Sequence, residues 1–273
     1  IVRAGATPVF VDISESDYAL DADLVAAAVT PRTRALMPVH IYGRAGNLTA
    51  YEALARKHDL VLINDACQAH GAGHRGRDIA SYGQASAYSF YPTKNLGALG
   101  DGGMLVCADA DKAARIRSLR DYGQQKKYHH AEPGLNSRLD ELQAAILRVK
   151  LTHLPAQTER RRAIAHRYST ALAGVGLTLP DDDPESVWHL YVVRTRQRDA
   201  LSSFLRERGV QSLVHYPVII PQQPALRRPY TQGSLPVAER CANEFLSLPM
   251  DPELTDAEVD QVCDAVRAFL ESA

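Results

Sequence analysis

Cysteine is scarce and scattered. The four in 273 residues are Cys67, Cys107, Cys241 and Cys263, and no two form a CxxC pair. That argues against a disulfide framework and reads as free thiols of a cytoplasmic protein. An excess of charge of either sign is missing too. Lysine and arginine number 31 against 32 acids, a net charge of −1. Nothing therefore draws the chain generally toward nucleic acid or an anionic membrane. No apolar run approaches the roughly 20 residues needed to cross a bilayer, and no signal peptide is visible. Internal repeats, low-complexity tracts and a P-loop pattern are all absent. So is a starting methionine: the chain opens Ile1-Val2-Arg3 and soon enters a strand-like run, as if cut from something longer.

What is present is ordinary globular composition, 45% hydrophobic and 23% charged. The length suits one large domain with a smaller one. Strand-like and helix-like segments alternate. TPVFVD (7–12), RALMPVH (34–40), LVLIND (60–65), SAYSF (86–90) and GMLVC (103–107) read as strands. Between them, 21–29, 48–58 and 109–123 read as helices, the last closed by Gly123. LVLIND is a continuous apolar run ending in an acid, which suits a strand buried on both faces. This rhythm predicts a mostly parallel sheet covered by helices. Beyond 136–151 a second helical stretch, 156–176, restarts after Pro155. A strand (187–194), a helix (198–209) and a Pro-rich connection (217–236) follow. In the last helix Thr255 and Glu258 form a capping-box pattern ahead of Val259, Val262 and Val266. The expected division is a large domain over 1–150 and a small α/β domain over 151–273.

Two familiar site types fit poorly. GAGHRG (71–76) matches G-x-G-x-x-G, but five residues separate it from Asp65 and no apolar-periodic helix follows, so it lacks the Rossmann turn's geometry. His70 and His74 stand four apart with glycines around them, which argues against a helix presenting both to a metal. No metal is expected.

The stretch YSFYPTKNLGALGDGG (88–103) is more informative. Lys94 sits in a loop of small residues with no acid within six positions. A Schiff-base lysine needs dry surroundings that free its amine to attack a carbonyl. Asp65, at the end of a buried-looking strand, stands where open α/β folds place ligands. Taken singly, Asp65 also suits a cap or turn and Lys94 a surface amine. Taken with Ser89, they suit pyridoxal 5′-phosphate (PLP), which needs a lysine, an acid for its ring nitrogen and donors for its phosphate.

INDACQAHGA (63–72), the lysine stretch, and GLNSRLDELQAAIL (134–147) resemble three signatures of the DegT/DnrJ/EryC1/StrS family of PLP-dependent sugar-nucleotide aminotransferases. AGATPVFVDI (4–13) and LPVAERCANEFLSLPMDPELT (235–255) fit the same family in the same order, so the resemblance spans essentially the whole chain. It implies an α/β fold of the PLP-dependent transferase type I, a mostly parallel central sheet sandwiched by helices, with a smaller C-terminal α/β domain. It implies that Lys94 holds the cofactor covalently and moves a proton. Asp65 would pair with the ring nitrogen, Gln68 would contact the ring's 3-oxygen, and Ser89 would bind the phosphate. Asn136 would reach the cofactor of a neighbouring subunit in a homodimer, although an N-cap role fits the sequence equally. His40, Tyr42, His70, Lys127, His130, His215 and Tyr216 are substrate-side candidates, and buried or solvated structural roles suit them as well.

YGQQKKYHH (122–130) most resembles members that aminate C3 of dTDP-3-keto-6-deoxyhexoses with L-glutamate as donor. A C4-aminating relative or a non-catalytic, regulatory member are the alternatives. Family members carry roughly 70–90 further residues ahead of the AGATP segment, enough to complete a normal large domain. The missing part holds a helix N-terminus that clamps the phosphate. The chain as it stands is therefore expected to bind PLP poorly, and its own activity is left open.

Overall fold

A computed structural model describes residues 1–226 and 230–272. Residues 227–229 of the expected Pro-rich connection lie outside the described residues. In chain order the elements are α1 (Ala22–Ala28), β1 (Ala35–Leu36), α2 (Leu48–Lys57), β2 (Val61–Asp65), the short pair β3 (Gly73–His74) and β4 (Arg77–Asp78), β5 (Ala85–Ser89) and β6 (Gly103–Val106). Then come α3 (Ala110–Leu119), the pair β7 (Gln124–Lys126) and β8 (His129–His130), and the long α4 (Glu141–Ala171). The chain finishes with β9 (Tyr191–Arg194), α5 (Arg198–Glu207), α6 (Pro236–Glu244), β10 (Phe245–Leu248) and α7 (Asp256–Ser272).

The central sheet runs β1-β2-β5-β6. β1, β2 and β5 are parallel, with Leu36 opposite Leu62 and Asp65 opposite Ala87. β6 turns back antiparallel on β5, pairing Gly103 with Ser89. The sheet is thus mixed and mostly parallel, and β2 and β5 both end at the same edge with Asp65 and Ser89. Its core joins Leu62, Leu36, Leu48, Tyr51, Ile79 and Ala66. A second core joins α4, α5 and α7 to the antiparallel pair β9–β10. In α7 the buried positions Val259, Val262, Cys263, Val266 and Phe269 form one stripe, the pattern of a helix lying on a core. Each fully buried aliphatic there contributes about 1.5–3 kcal/mol. The capping box forms as read: Glu258 accepts from the Thr255 N–H at 2.8 Å, and Thr255 Oγ1 accepts the Glu258 N–H at 3.3 Å.

Four expectations are corrected. Residues 7–12 form no strand; beside them only Ile13 bridges Leu20. Asp12 instead caps α6, its carboxylate accepting the N–H groups of Val237 and Ala238 at 2.8 and 2.9 Å. α3 ends at Leu119, so Gly123 lies in the turn beyond rather than at the helix end. The strand expected over 187–194 begins only at Tyr191, because Ser186 and Val187 are hydrogen-bonded to Gly43 instead of a ladder. Pro155 does not restart a helix: α4 is continuous through it over 31 residues. A mid-helix proline costs about 3 kcal/mol. Burial at both ends offsets it, with Leu147 and Leu154 against Phe90, Leu96 and Ala98, and Ile164, Ala165 and Tyr168 in the second core. α4 also spans the boundary expected at residue 150.

Candidate active site

The lysine segment is held on two sides. Phe90 and Ala98 close it, the Ala98 N–H donating to the Phe90 carbonyl at 2.8 Å, and the Lys94 N–H donates to the Tyr91 carbonyl at 2.9 Å. From α4, Lys150 Nζ donates to the Gly97 carbonyl at 2.6 Å and Gln143 accepts the Leu99 N–H at 2.8 Å. Gly97 is required by crowding: a Cβ there would sit 2.4 Å from the Pro92 carbonyl oxygen. On the other side Asn95 donates to the Val187 carbonyl at 2.9 Å. Lys94 itself is half-buried.

At the neighbouring strand end, Asp65 Oδ1 accepts the Cys67 N–H at 3.1 Å. Gln68, 8% exposed, accepts the Tyr42 N–H at 2.7 Å and donates to Tyr216 Oη at 3.1 Å. The Tyr42 hydroxyl donates to the His215 carbonyl, and His215 Nδ1 lies 2.8 Å from Ser247 Oγ. The structure thus joins Gln68, Tyr42, His215 and Tyr216 in one network, across 148 residues between Gln68 and Tyr216. Ser89 ends β5 and accepts the Tyr91 N–H at 3.2 Å.

Three imidazoles feel the Lys94 charge. His70 is 4% exposed, between the rings of Tyr88 and Phe90. Burial lowers its pKa to about 4, the Ser89 backbone offsets part of this, and Lys94 adds to the lowering. Among the described residues neither of its ring nitrogens has a partner at hydrogen-bonding geometry. His189 is lowered to about 3, by burial first and then by Lys94. His215 is lowered by the same two causes. The lysine therefore stands among neutral imidazoles. Burial, then Asp65, pushes the Cys67 thiol up to about 12, so it is no thiolate nucleophile.

His40 adjoins the strand end, its N–H donating to the Asp65 carbonyl at 3.0 Å. His40 is wholly buried, with Gly46 N–H on Nδ1 and Asn64 Oδ1 against Nε2, and burial lowers its pKa to about 4. Both nitrogens are engaged in the core. Asn136, Lys127 and His130 are exposed around the β7–β8 pair. Asn136 accepts from Arg138, Lys127 lies over the Tyr128 ring, and His130 contacts the Tyr122 carbonyl. GAGHRG (71–76) is a hairpin: Arg75 and Gly76 both have positive φ, as a tight β3–β4 turn requires, and Glu185 accepts both of their N–H groups. His74 lies in β3 against Thr49. Sequence reasoning missed Asn95 and His189. Each is a polar residue at a near-apolar position, KNLG and VWHLY, which is the only signal the sequence carried.

These groups fit PLP. Among the described residues they supply an amine, a carboxylate at a strand end, an amide with a spare hydrogen, a hydroxyl, and a buried imidazole without a hydrogen-bond partner.

The chain matches the DegT/DnrJ/EryC1/StrS aminotransferase family over residues 1–267. It is 50% identical to the dTDP-3-amino-3,4,6-trideoxy-alpha-D-glucose transaminase of Streptomyces venezuelae, over 99% of this chain and 73% of that protein. The crystal structure of S. venezuelae DesV in complex with a ketimine intermediate superposes with a TM-score of 0.96 at 48% identity, over 99% of this chain and 74% of that one. NtdA from Bacillus subtilis, solved with bound cofactor PMP, superposes with a TM-score of 0.93 at 28% identity, covering 99% of this chain and 64% of that one. Among the described residues no helix is long and apolar enough to cross a membrane. This chain belongs to the DegT/DnrJ/EryC1/StrS aminotransferase family, whose aminotransferases depend on PLP.

Proposed function

We propose that this protein transfers the amino group of L-glutamate to C3 of a dTDP-linked 3-keto-6-deoxyhexose. The observation that carries the reading is the 50% identity to a dTDP-3-amino-sugar transaminase over 99% of the chain, with Lys94 half-buried among neutral imidazoles.

Lys94, Asp65, Gln68 and Ser89 would hold the PLP, and Asn136 would reach the site of a second subunit in a homodimer. When bound, the cofactor supplies an electron sink for the carbon that loses its proton. Lys94 Nζ would take that proton from one carbon and return it to another, a task that suits a single base released beside both. Asp65, as a carboxylate, would keep a proton on the ring nitrogen. Gln68 is oriented for its part, since the Tyr42 N–H fixes its oxygen and leaves its nitrogen to donate. Tyr42, His215 and Tyr216 would line the substrate side, with the exposed Lys127 and His130 offering donors to a diphosphate. A division into a large domain over 1–150 and a small one over 151–273, in a cytoplasmic enzyme, belongs to the same reading.

The test is amino transfer from ¹⁵N-labelled L-glutamate to dTDP-linked 3-keto and 4-keto sugars, read by product mass. Label in the 3-amino product supports the reading, and label only in the 4-amino product assigns the chain to C4 chemistry. No label in either contradicts it.

A further inference from the structure

The peptide that follows Lys94 is tied to a distant part of the chain by a pair of side chains whose polarity can be worked out. Asn95 is 7% exposed. Its amide reaches the Val187 carbonyl at 2.9 Å and His189 Nδ1 at 3.0 Å. A backbone carbonyl only accepts, so the amide nitrogen must face Val187 and the amide oxygen must face His189. That oxygen in turn needs a donor, so the His189 proton sits on Nδ1. With the ring neutral at 8% exposure, Nε2 is left as a bare acceptor, and among the described residues no hydrogen bond reaches it.

The far side of this tie is itself fixed. The Val187 N–H donates to the Gly43 carbonyl at 2.9 Å, and Ser186 Oγ donates to the same carbonyl at 3.2 Å. Gly43 is packed so closely that a Cβ there would lie 2.6 Å from the His189 nitrogen. Glu185 continues the strap by clasping the β3–β4 turn. Asn95 is therefore moored to a segment that is itself hydrogen-bonded to and packed against Gly43.

We infer that Asn95 and His189 are a positioning pair for Lys94: they lock the lysine segment to the 185–189 strap, with the Asn95 oxygen holding the His189 proton on Nδ1. This rests on Lys94 being the working amine of the site. It adds two residues that act on that amine through their grip on its segment. The Asn95 amide is the element that selects the His189 tautomer, and the strap is the element that resists movement.

The test uses ligand-free protein, so that it stands apart from cofactor binding. Pulse acylation with acetic anhydride, read by peptide mass, gives the reactivity of Lys94, with exposed Lys57 as the internal control. In Asn95→Leu and His189→Phe the segment is freed and Lys94 is acylated about fivefold faster, the equivalent of one net hydrogen bond. His189→Gln, whose amide can still donate to Asn95, stays within about twofold of the parent by the same measure. Should Asn95→Leu fail to fold, the His189→Phe and His189→Gln pair carries the test alone. An unchanged Lys94 rate in folded His189→Phe overturns the inference. So does a His189→Gln variant as fast as His189→Phe. In protein loaded with PLP, His189→Phe lowers kcat while KM for the keto sugar stays within about twofold, since a positioning loss of one hydrogen bond acts on the chemical step. A parent that loads PLP yet transfers no amino group counts against the proposed function and leaves the acylation result standing.

Discussion

The side-chain oxygen of Gln68 accepts the backbone N–H of Tyr42 at 2.7 Å, 26 residues away in the chain. This fixes which end of the amide faces the site. The nitrogen carries two hydrogens, and Tyr216 Oη takes one. In the proposed reading the other would serve a ring oxygen of the cofactor. Gln68→Glu keeps the acceptor for Tyr42 and can accept from Tyr216, but loses the donor. PLP affinity is expected to fall about tenfold or more, the cost of one unmade hydrogen bond in a buried site. A fluorescence titration with PLP checks it, and equal affinity in the variant would remove Gln68 from the cofactor contacts.

Gly97 and Lys150 together hold the segment that carries Lys94. Gly97→Ala would place a methyl 2.4 Å from the Pro92 carbonyl oxygen, and backbone on both sides cannot give way cheaply. A loss of about 1–3 kcal/mol is expected from overpacking of this kind. Lys150→Met removes a hydrogen bond from a charged donor, at about 1.5–3 kcal/mol. Urea unfolding measures both. Wild-type stability in both variants would mean that α4 does not hold this loop.

How much of this was legible is best seen at particular residues. Asp65 and Lys94 stand out in sequence because an acid closes an apolar strand and an amine sits alone among small residues. β2 follows from its apolar run. The antiparallel return of β6 does not, since strand direction depends on the loop before it. The run at 7–12 misleads because Asp12 is used as a helix cap rather than in a ladder. Pro155 misleads because burial at both ends of α4 outweighs a local penalty. Asn95 and His189 lie 94 residues apart and carry no shared motif, so only the folded chain pairs them.

Three buried imidazoles make the fold acid-sensitive. His40 and His70 are lowered from 6.5 to about 4, and His189 to about 3, each chiefly by burial. The unfolded chain therefore binds protons that the folded chain refuses. The stability this gives is fully present above about pH 6.5 and is lost as pH falls toward the folded values. The loss is on the order of 3 kcal/mol per ring over that window. Urea midpoints at pH 7.5 and 5 check it. Equal midpoints would mean that these rings are protonated or solvated in the folded protein.

At the far end of the chain, Thr255 and Glu258 cap α7 reciprocally. Thr255→Ala is expected to cost about 1 kcal/mol. The change should leave Lys94 acylation unaltered, since α7 belongs to the second core. A thermal midpoint equal to the parent's would show that the box adds nothing to α7.

The most direct test of the account is where the cofactor attaches. Protein incubated with excess PLP is reduced with borohydride, digested and mapped by mass, beside Lys94→Ala. The account predicts a single reduced pyridoxyl adduct on Lys94 in the parent. It also predicts loss of that adduct in Lys94→Ala, with transamination down by at least about 10²–10⁴-fold, the contribution of a positioned acid–base group. An adduct on another lysine, or equal turnover in Lys94→Ala, would contradict it.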